Sequence, residues 1–262
     1  MNDCDGSMTR TMTQDSIIKN GARFHVPDHL GPGAEVGLPD LAAHHATRVL
    51  RLGVGDAVIL FDGSGGEYEA ALTQVGRGGV RARAGRFHPA GPESALRVTL
   101  VQGISGGDRM DFTIRKAVEL GVDRLIPVFT ARSVVRLGGE RMDRRRSHWQ
   151  AVAISACEQC GRNAVPEVQE PATLEHWLSA CPAEGDLRLL LAVGGHLRLR
   201  DLPAPAAAVT LLAGPEGGFA EREAEAAASR GFVPIRLGPR VLRTETAALA
   251  ALAAMQTLWG DF

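Results

Sequence analysis

Cysteine is scarce in this sequence, and long apolar runs are missing. The four cysteines among 262 residues are too few and too unevenly placed for a disulfide framework, which favours a reducing compartment. No stretch approaches the roughly 18 consecutive apolar residues that are needed to cross a bilayer, and the N-terminal residues lack the apolar centre of a signal peptide. We therefore expect a cytoplasmic globular protein that does not enter a membrane.

The chain has no excess charge of either sign. Its formal net charge is −1, so the overall balance does not indicate nucleic-acid binding. Lysine is nearly absent, however, because Lys19 and Lys116 are the only two and every other basic residue is an arginine. The forked arginine side chain suits phosphates and base edges, although a GC-rich genome would produce the same bias. Both interpretations stay open.

Metal-binding patterns are also missing. Cys157 and Cys160 form a C-x-x-C pair, but no second ligand pair follows at zinc spacing. The pair lies in the segment AVAISACEQC, whose pattern is typical of a helix. We interpret both cysteines as helix residues and expect no metal site.

The pattern of apolar residues divides the chain into parts. Residues 1–20 are polar and aperiodic, which predicts a disordered leader. Residues 21–90 carry short apolar runs separated by turn residues, which predicts a small β-rich domain. A segment rich in proline and glycine follows, and residues 95–262 then alternate strands with helices. This alternation predicts an α/β domain with a mostly parallel sheet.

Three glycine-containing loops follow apolar strands of the predicted α/β domain. They occupy residues 194–196, 214–218 and 238–246. Ligands bind beyond the carboxyl ends of strands in such sheets, and glycine lets the backbone approach a ligand closely. None of the loops matches a dinucleotide or phosphate-loop fingerprint. A pocket of backbone groups suits adenine and a thioether better than a triphosphate, but loops that only cap helices remain an alternative.

Several long motifs in order resemble one known family. They are DFTIRKAVELGVDRLIPVFTARSVV (111–135), WQAVAISACEQCGRNAVPEV (149–168), LLAGPEGGFAEREAEAA (211–227) and LGPRVLRTETAALAALAAMQ (237–256). Together they are similar to the SPOUT methyltransferases, specifically the bacterial family that methylates N3 of a uridine in 16S ribosomal RNA. The resemblance covers nearly everything from Arg23 to Phe262.

The resemblance implies an architecture that the apolar pattern does not. It implies a small PUA-like barrel domain that binds RNA, followed by an α/β domain whose C-terminal segment is threaded as a trefoil knot. General topology rules make knots improbable, so this expectation rests on the resemblance alone. It also implies S-adenosylmethionine as cofactor, no metal, a homodimer with the C-terminal helix near the interface, and 16S rRNA within the small ribosomal subunit as partner.

By the same resemblance, the three loops would bind the cofactor. The residues implied are Ala192, Val193 and Gly194 from the first loop, Gly214, Glu216 and Gly218 from the second, and Leu237, Gly238, Val241, Leu242 and Arg243 from the third.

Catalysis and RNA binding are assigned to polar residues. Arg243 and Glu245 are the catalytic candidates, since they adjoin the cofactor loop and could anchor the base and handle charge, although an arginine and a glutamate at a helix start often form only a local ion pair. The candidate RNA contacts are Arg23, His25, Arg48, Arg51, Arg132, Arg162 and Asn163. An α/β enzyme of another chemistry and a noncatalytic RNA-binding factor remain the competing hypotheses.

Overall fold

The computed structural model describes residues 21–89, 91, 93–133, 139–181, 186–205 and 208–262. The expected leader at residues 1–20 lies outside this described part. The chain divides into two compact units between residues 90 and 91. In the part that the structure describes, no helix is long and apolar enough to cross a membrane.

The first unit is built on a five-stranded sheet with the strand order β1-β3-β4-β5-β2. All of its pairings are antiparallel except that of β1 with β3. Its strands are β1 (Ala22–His25), β2 (Glu35–Gly37), β3 (Ala57–Phe61), β4 (Gly66–Gly76) and β5 (Gly79–Pro89). Phe24, Leu60 and Leu72 pack in its buried core. This β-rich content agrees with the sequence pattern.

The turn between β3 and β4 is held by the Asp62 carboxylate. It accepts hydrogen bonds from the backbone N–H of Ser64 at 3.0 Å and from the Ser64 hydroxyl at 2.6 Å. The backbone N–H of Leu30 donates to the same carboxylate at 3.1 Å, which ties a distant loop to this turn. The acidic residue that follows an apolar strand therefore organises two loops.

A short helical segment of the first unit has an irregular backbone. Helix α1 (Asp40–His44) continues as one π-helical turn, His45–Val49. Arg51 then adopts a positive φ of 58°, the only such value for a non-glycine residue among those described. Both features are uncommon and concentrate at functional sites. They fall where Arg48 and Arg51 are exposed at the surface.

The second unit is an α/β domain with a seven-stranded sheet. The strand order is β12-β10-β11-β6-β7-β8, with β9 also paired to β7, and every described pairing is parallel. The strands are β6 (Arg97–Gly103), β7 (Arg124–Phe129), β8 (Glu167–Val168), β9 (Ala172–Thr173), β10 (Leu187–Leu191), β11 (Ala208–Ala213) and β12 (Val233–Ile235). The helices are α2 (Arg109–Glu119), α3 (Glu140–Cys160), α4 (Leu174–Ala180), α5 (Glu221–Ser229) and α6 (Thr244–Trp259). The expectation of an α/β fold is confirmed.

Strand order explains how distant loops come together. β10 lies between β12 and β11, and all three run in the same direction. Their carboxyl ends therefore meet at one edge of the sheet, which is where ligands bind in open α/β folds. The three glycine-containing loops leave from these ends.

The path after β12 carries the chain back across the sheet. β12 is an edge strand, whereas Thr244 at the start of α6 contacts Gly214 after β11 and Gln102 in β6. Residues 236–243 therefore cross the end of β10 to reach α6. Strand β12 is shorter than the sequence pattern predicts, because Arg236 already donates its backbone N–H to Leu197 at 2.9 Å.

Candidate functional site

Three loops at the carboxyl ends of β10, β11 and β12 enclose a cavity of about 810 Å³. We call them the first loop (192–196), the second loop (214–220) and the third loop (236–243). Cavities of this size accommodate drug-sized molecules and cofactors. The first turn of α6 completes the wall, with Thr244 and Glu245 among the lining residues.

The structure brings most of the expected cofactor residues together around this cavity. Gly194 is the exception, since it does not line the cavity although the preceding residue, Val193, does. The residues that line it are Ala192, Val193, Gly214, Glu216, Gly218, Leu237, Gly238, Val241, Leu242 and Arg243. They come from all three loops, as the order of strands requires.

The rim of the cavity has an unusual apolar surface. Val193 in the first loop is 79% exposed and Val241 in the third loop is 75% exposed. Both line the cavity. Leaving two branched apolar side chains in water at one opening is unfavourable. A flat apolar group that lay between them would remove that cost.

The second loop is held by a charged residue from another part of the chain. The Glu216 carboxylate accepts a hydrogen bond from the Arg109 guanidinium at 2.8 Å and one from the backbone N–H of Gly106 at 3.1 Å. Arg109 begins α2, and it also lines the cavity. Sequence reasoning predicted Glu216 as a cofactor residue but missed Arg109, whose neighbours in the sequence give no such signal.

Arg132 holds the same loop from the other side. Its guanidinium donates to the carbonyl of Gly217 at 3.0 Å, and it is an exposed residue that lines the cavity. A Cβ on Gly217 would lie 2.9 Å from the Cβ of Arg132, so the two backbones touch. The predicted RNA contact Arg132 thus stands at the mouth of the cavity.

The first turn of α6 presents the two catalytic candidates. Arg243 immediately precedes the helix and is exposed, whereas Glu245 is half-buried. The Glu245 Oε2 atom is buried, and no hydrogen-bond donor among the described residues reaches it. The local ion pair that sequence reasoning kept as an alternative is not among the described salt bridges. A buried carboxylate oxygen without a donor is costly, so a donor from a ligand would stabilise it.

A buried glutamine, which sequence reasoning missed, links two of the site's elements. Gln102 is 1% exposed and lies in β6. Its Nε2 donates to the carbonyl of Gly214 at 3.3 Å and to the hydroxyl of Thr244 at 3.1 Å. The signal that could have found it is a single amide at the end of the apolar run LRVTLV, beside a glycine.

The predicted RNA contacts of the first unit occupy two environments. Arg48 and Arg51 are exposed on the irregular helical segment. Arg23 is ion-paired with Glu67 at 2.5 Å and lies over the Phe61 ring, so its charge is largely balanced.

His25 is a partly buried member of that same group of predicted contacts. It packs edge-on against Phe61, with the ring centroids 5.4 Å apart. Burial lowers the pKa of His25, and the nearby Asp62 charge offsets only part of that effect.

Two predicted RNA contacts of the second unit, Arg162 and Asn163, lie mostly inside the protein. The Arg162 side chain is 13% exposed and pairs with Glu93 at 2.8 Å. It also donates to the carbonyls of Val118 at 3.1 Å and Val122 at 2.8 Å. Asn163 is 5% exposed. The Arg162 side chain therefore bonds to groups of the same unit, and RNA contact by Arg162 and Asn163 stays a prediction.

Family comparisons assign both units to RNA-modifying proteins. A profile described as RNA methyltransferase domain matches residues 92–256, and one described as RNA methyltransferase PUA domain matches residues 38–84. Ribosomal RNA small subunit methyltransferase E of Mycobacterium bovis is 36% identical over 90% of this chain and 91% of its own length. The Buchnera aphidicola protein of the same name is 32% identical over 96% of this chain and its full length.

Solved structures give the same result. Ribosomal RNA small subunit methyltransferase E from Neisseria gonorrhoeae, bound to S-adenosylmethionine, is 42% identical with a TM-score of 0.84. A Legionella pneumophila protein in complex with the same cofactor is 37% identical with a TM-score of 0.88. Each match covers 92% of this chain and 99% of the other chain. The resemblance drawn from the motifs is therefore confirmed.

Proposed function

Because this chain belongs to the family of ribosomal RNA small subunit methyltransferase E, we propose that it transfers a methyl group from S-adenosylmethionine to N3 of a uridine in 16S rRNA. Transfer converts the cofactor to S-adenosylhomocysteine, forms an N–CH₃ bond and releases the N3 proton. The substrate is the RNA of the small ribosomal subunit.

The cavity has the properties that this cofactor requires. Val193 and Val241 offer apolar cover for the adenine ring, and the backbone of the third loop offers donors and acceptors for its edges. The cavity of about 810 Å³ is at the upper end of the range for small-molecule sites. It is large enough to admit a nucleobase beside the cofactor, which a methyl transfer between the two demands.

The reaction needs a group that accepts a proton. The bound cofactor supplies an electrophilic methyl group on a positively charged sulfur. N3 of uridine carries a proton that must leave as the new bond forms, and Glu245 Oε2 is a buried acceptor without a donor in the described structure. We assign it the role of receiving the N3 proton.

Negative charge develops on the two carbonyl oxygens that flank N3 as the proton leaves. Arg243 lies next but one to Glu245, is exposed and lines the cavity. Its guanidinium presents several donors in a fixed plane, and it would stabilise that charge. Arg132 at the mouth is suited to a phosphate of the same RNA strand.

One observation carries this assignment: Glu245 lines a cavity formed by three strand ends, and its buried Oε2 has no donor among the described residues. A glutamate that only stabilised the helix start would be expected to find a donor in the protein.

The wider expectations follow from the same proposal. The first unit would bind RNA through Arg48 and Arg51, and the active enzyme would be a homodimer in the cytoplasm, where ribosomes assemble. The crossing of residues 236–243 over β10 supports a C-terminal segment threaded as a trefoil knot. Chemical cross-linking and sedimentation of the purified protein test the dimer, and a monomer at working concentration would contradict it.

The product is tested directly. Small ribosomal subunits that lack the modification are incubated with the protein and cofactor carrying a labelled methyl group, and the modified nucleotide is mapped by mass spectrometry. We expect one labelled uridine with the methyl group on N3. A label on ribose or on cytosine would overturn the proposal.

The role of Glu245 is tested with a matched pair of variants. Glu245→Gln keeps the shape but cannot accept the proton, so kcat should fall by about 100- to 10,000-fold, as for loss of a general base. Glu221→Gln changes a glutamate at the start of α5 that does not line the cavity, and it should keep its kcat. Cofactor affinity measured by calorimetry should be retained in both. Equal kcat values for the two variants would remove Glu245 from the mechanism.

A further inference from the structure

We propose that Gln102 is a positioning residue for methyl transfer, which acts by fixing the first turn of α6 against the second loop. This inference rests on the proposed function, since it concerns where Arg243 and Glu245 stand. It assigns a role to a residue that does not line the cavity itself but bonds to two residues that do, Gly214 and Thr244.

The orientation of the Gln102 amide is dictated by its neighbours. Its Nε2 lies 3.0 Å from the carbonyl of Gly103 and 3.3 Å from the carbonyl of Gly214. Carbonyl oxygens only accept hydrogen bonds, so the nitrogen, and not the oxygen, must face them. The same nitrogen lies 3.1 Å from Thr244 Oγ1.

Thr244 completes a closed set of hydrogen bonds, which we call the latch: Gln102, Gly214 and Thr244. The Thr244 hydroxyl donates its single hydrogen to the Gly214 carbonyl. Its oxygen is then free to accept from Gln102, so each group of the latch has a defined direction. One amide thereby joins the end of β6, the start of the second loop and the first residue of α6.

Packing around the latch leaves little room for adjustment. A Cβ on Gly103 would lie 2.6 Å from the nitrogen of Pro215 and 2.5 Å from its Cδ. The strand end and the second loop are therefore in direct backbone contact. Because the second loop has no room to move, we expect a substitution at Gln102 to displace the first turn of α6.

Stability alone is a poor explanation for this glutamine. Gln102 Oε1 is buried, and no donor in the described part of the chain reaches it. An apolar side chain of the same length would avoid that unpaired acceptor. Since Thr244 lies between Arg243 and Glu245, the amide instead fixes the residues on either side of it. A displacement of about 1 Å at reacting groups can lower a rate 100-fold.

The molecule contains a matched control on the same helix. Gln256 is also fully buried, and its Nε2 donates to the carbonyls of Leu120 at 3.3 Å and Gly121 at 3.5 Å. It lies near the other end of α6 and does not line the cavity. Gln102→Met and Gln256→Met therefore remove the same group from equally buried positions, one within the latch and one outside it.

The first measurement needs neither cofactor nor RNA. Hydrogen exchange of the free protein should become faster in the peptide covering residues 244–250 for Gln102→Met and for Thr244→Val, but not for Gln256→Met. Thr244→Ser keeps the hydroxyl and should exchange as the wild type does. Unchanged exchange of this peptide in Gln102→Met would overturn the proposal.

The second measurement is kinetic. We expect Gln102→Met and Thr244→Val each to lower kcat by about 10- to 100-fold, with the KM for S-adenosylmethionine changed by less than about threefold. Because both residues belong to one latch, the double variant should be no slower than the slower single variant. Thr244→Ser, which retains the hydroxyl, should recover most of the kcat that Thr244→Val loses, and Gln256→Met should keep kcat.

The outcomes separate this inference from the proposed function. A wild type that neither binds S-adenosylmethionine nor methylates the subunit refutes the proposed function. An active wild type with a fully active Gln102→Met variant refutes the positioning role alone. A Gln102→Met variant with normal kcat and a raised KM also refutes it, because the latch would then serve only the cofactor loop.

Discussion

The carboxylate of Glu216 is bound by the guanidinium of Arg109 at a distance of 2.8 Å. The two residues are 107 positions apart in the sequence, and the pair joins the start of α2 to the second loop. Gly106 reinforces the contact with its backbone N–H at 3.1 Å. The Glu216 side chain thus has a protein partner. It can influence cofactor binding by fixing the position of the second loop, without contacting the cofactor itself.

A double-mutant cycle distinguishes these two roles of Glu216. If Glu216 acts through Arg109, then Glu216→Gln, Arg109→Gln and the double variant should weaken cofactor binding equally. The loss should be at most about fivefold, as for an exposed ion pair. Isothermal calorimetry with S-adenosylmethionine measures it. A loss in Glu216→Gln that clearly exceeds the loss in Arg109→Gln would indicate direct contact with the cofactor.

The backbone of the third loop offers a second prediction. Gly238 has a φ of 132°, where side chains are strained, and an added Cβ would meet no atom within 4 Å. Gly238→Ala should therefore shift the loop without a clash and lower cofactor affinity by about tenfold, given a strain of about 1 to 3 kcal/mol.

Gly231 is the matched control for this change. It has a φ of 80° with open space around it, and it does not line the cavity. Gly231→Ala should lower the melting temperature to a similar degree and leave calorimetric affinity for the cofactor intact. If both alanine variants bind as the wild type does, the conformation of the third loop does not determine affinity.

The three loops were predictable because they are local features. A glycine-containing segment after an apolar strand is visible in a short window, and parallel strands bring their ends together. Gln102 and Arg109 were not predictable in this way, since their partners Thr244 and Glu216 lie more than 100 residues away. No short window contains both ends of such a contact.

Burial, in contrast, cannot be read from the local sequence. Arg162 and Asn163 follow a helix end marked by Gly161, and polar residues there suggest a surface. The structure turns Arg162 inward to the carbonyls of Val118 and Val122. Strands β8 and β9 have two residues each. They were not predicted, because two residues are too few to show the alternation of apolar and polar side chains that marks a strand. The π-helical turn His45–Val49 was not predicted, because the apolar pattern of so short a segment does not distinguish an α-helical from a π-helical turn.

Arg243 gives a third prediction, in which kcat and binding should respond differently. It lines the cavity but precedes α6, so Arg243→Ala removes the guanidinium and leaves the helix start in place. We expect kcat to fall by about 100-fold, the lower end of the range for loss of one charge-stabilising donor, with little change in cofactor affinity. Arg222→Ala, at an exposed arginine of α5 that does not line the cavity, should keep its kcat. Equal kcat values in the two variants would contradict the role of Arg243.

The C-x-x-C pair gives a fourth prediction. Burial raises the pKa of the Cys157 thiol to about 12, whereas Cys160 is exposed. Thiolates are the reactive species, so iodoacetamide at pH 8 should label Cys160 in the folded protein and leave Cys157 unlabelled until the protein is denatured. Peptide mass spectrometry measures both sites. Labelling of Cys157 as fast as Cys160, or a disulfide between them, would contradict the interpretation of the pair as ordinary helix residues.

His25 makes the stability of the first unit depend on pH. Burial lowers the pKa of His25 in the folded protein, so as the pH falls through about 6.5 the unfolded chain binds a proton that the folded chain does not. The free energy of unfolding must therefore decrease as the pH falls. Above that range the ring is neutral in both states, so His25 adds no pH dependence there. Between pH 7.5 and 5.5, His25→Gln should lose less stability than the wild type. The decrease in its melting temperature over this range should be smaller than that of the wild type by a few degrees.

The measurement can be confined to the first unit because all three tryptophans, Trp149, Trp177 and Trp259, belong to the second. Circular dichroism follows both units, and tryptophan emission follows the second alone, so a transition seen only by dichroism belongs to the first. The variant and the wild type should differ in that transition at pH 5.5 and agree at pH 7.5. An equal drop in both proteins would mean that His25 titrates normally.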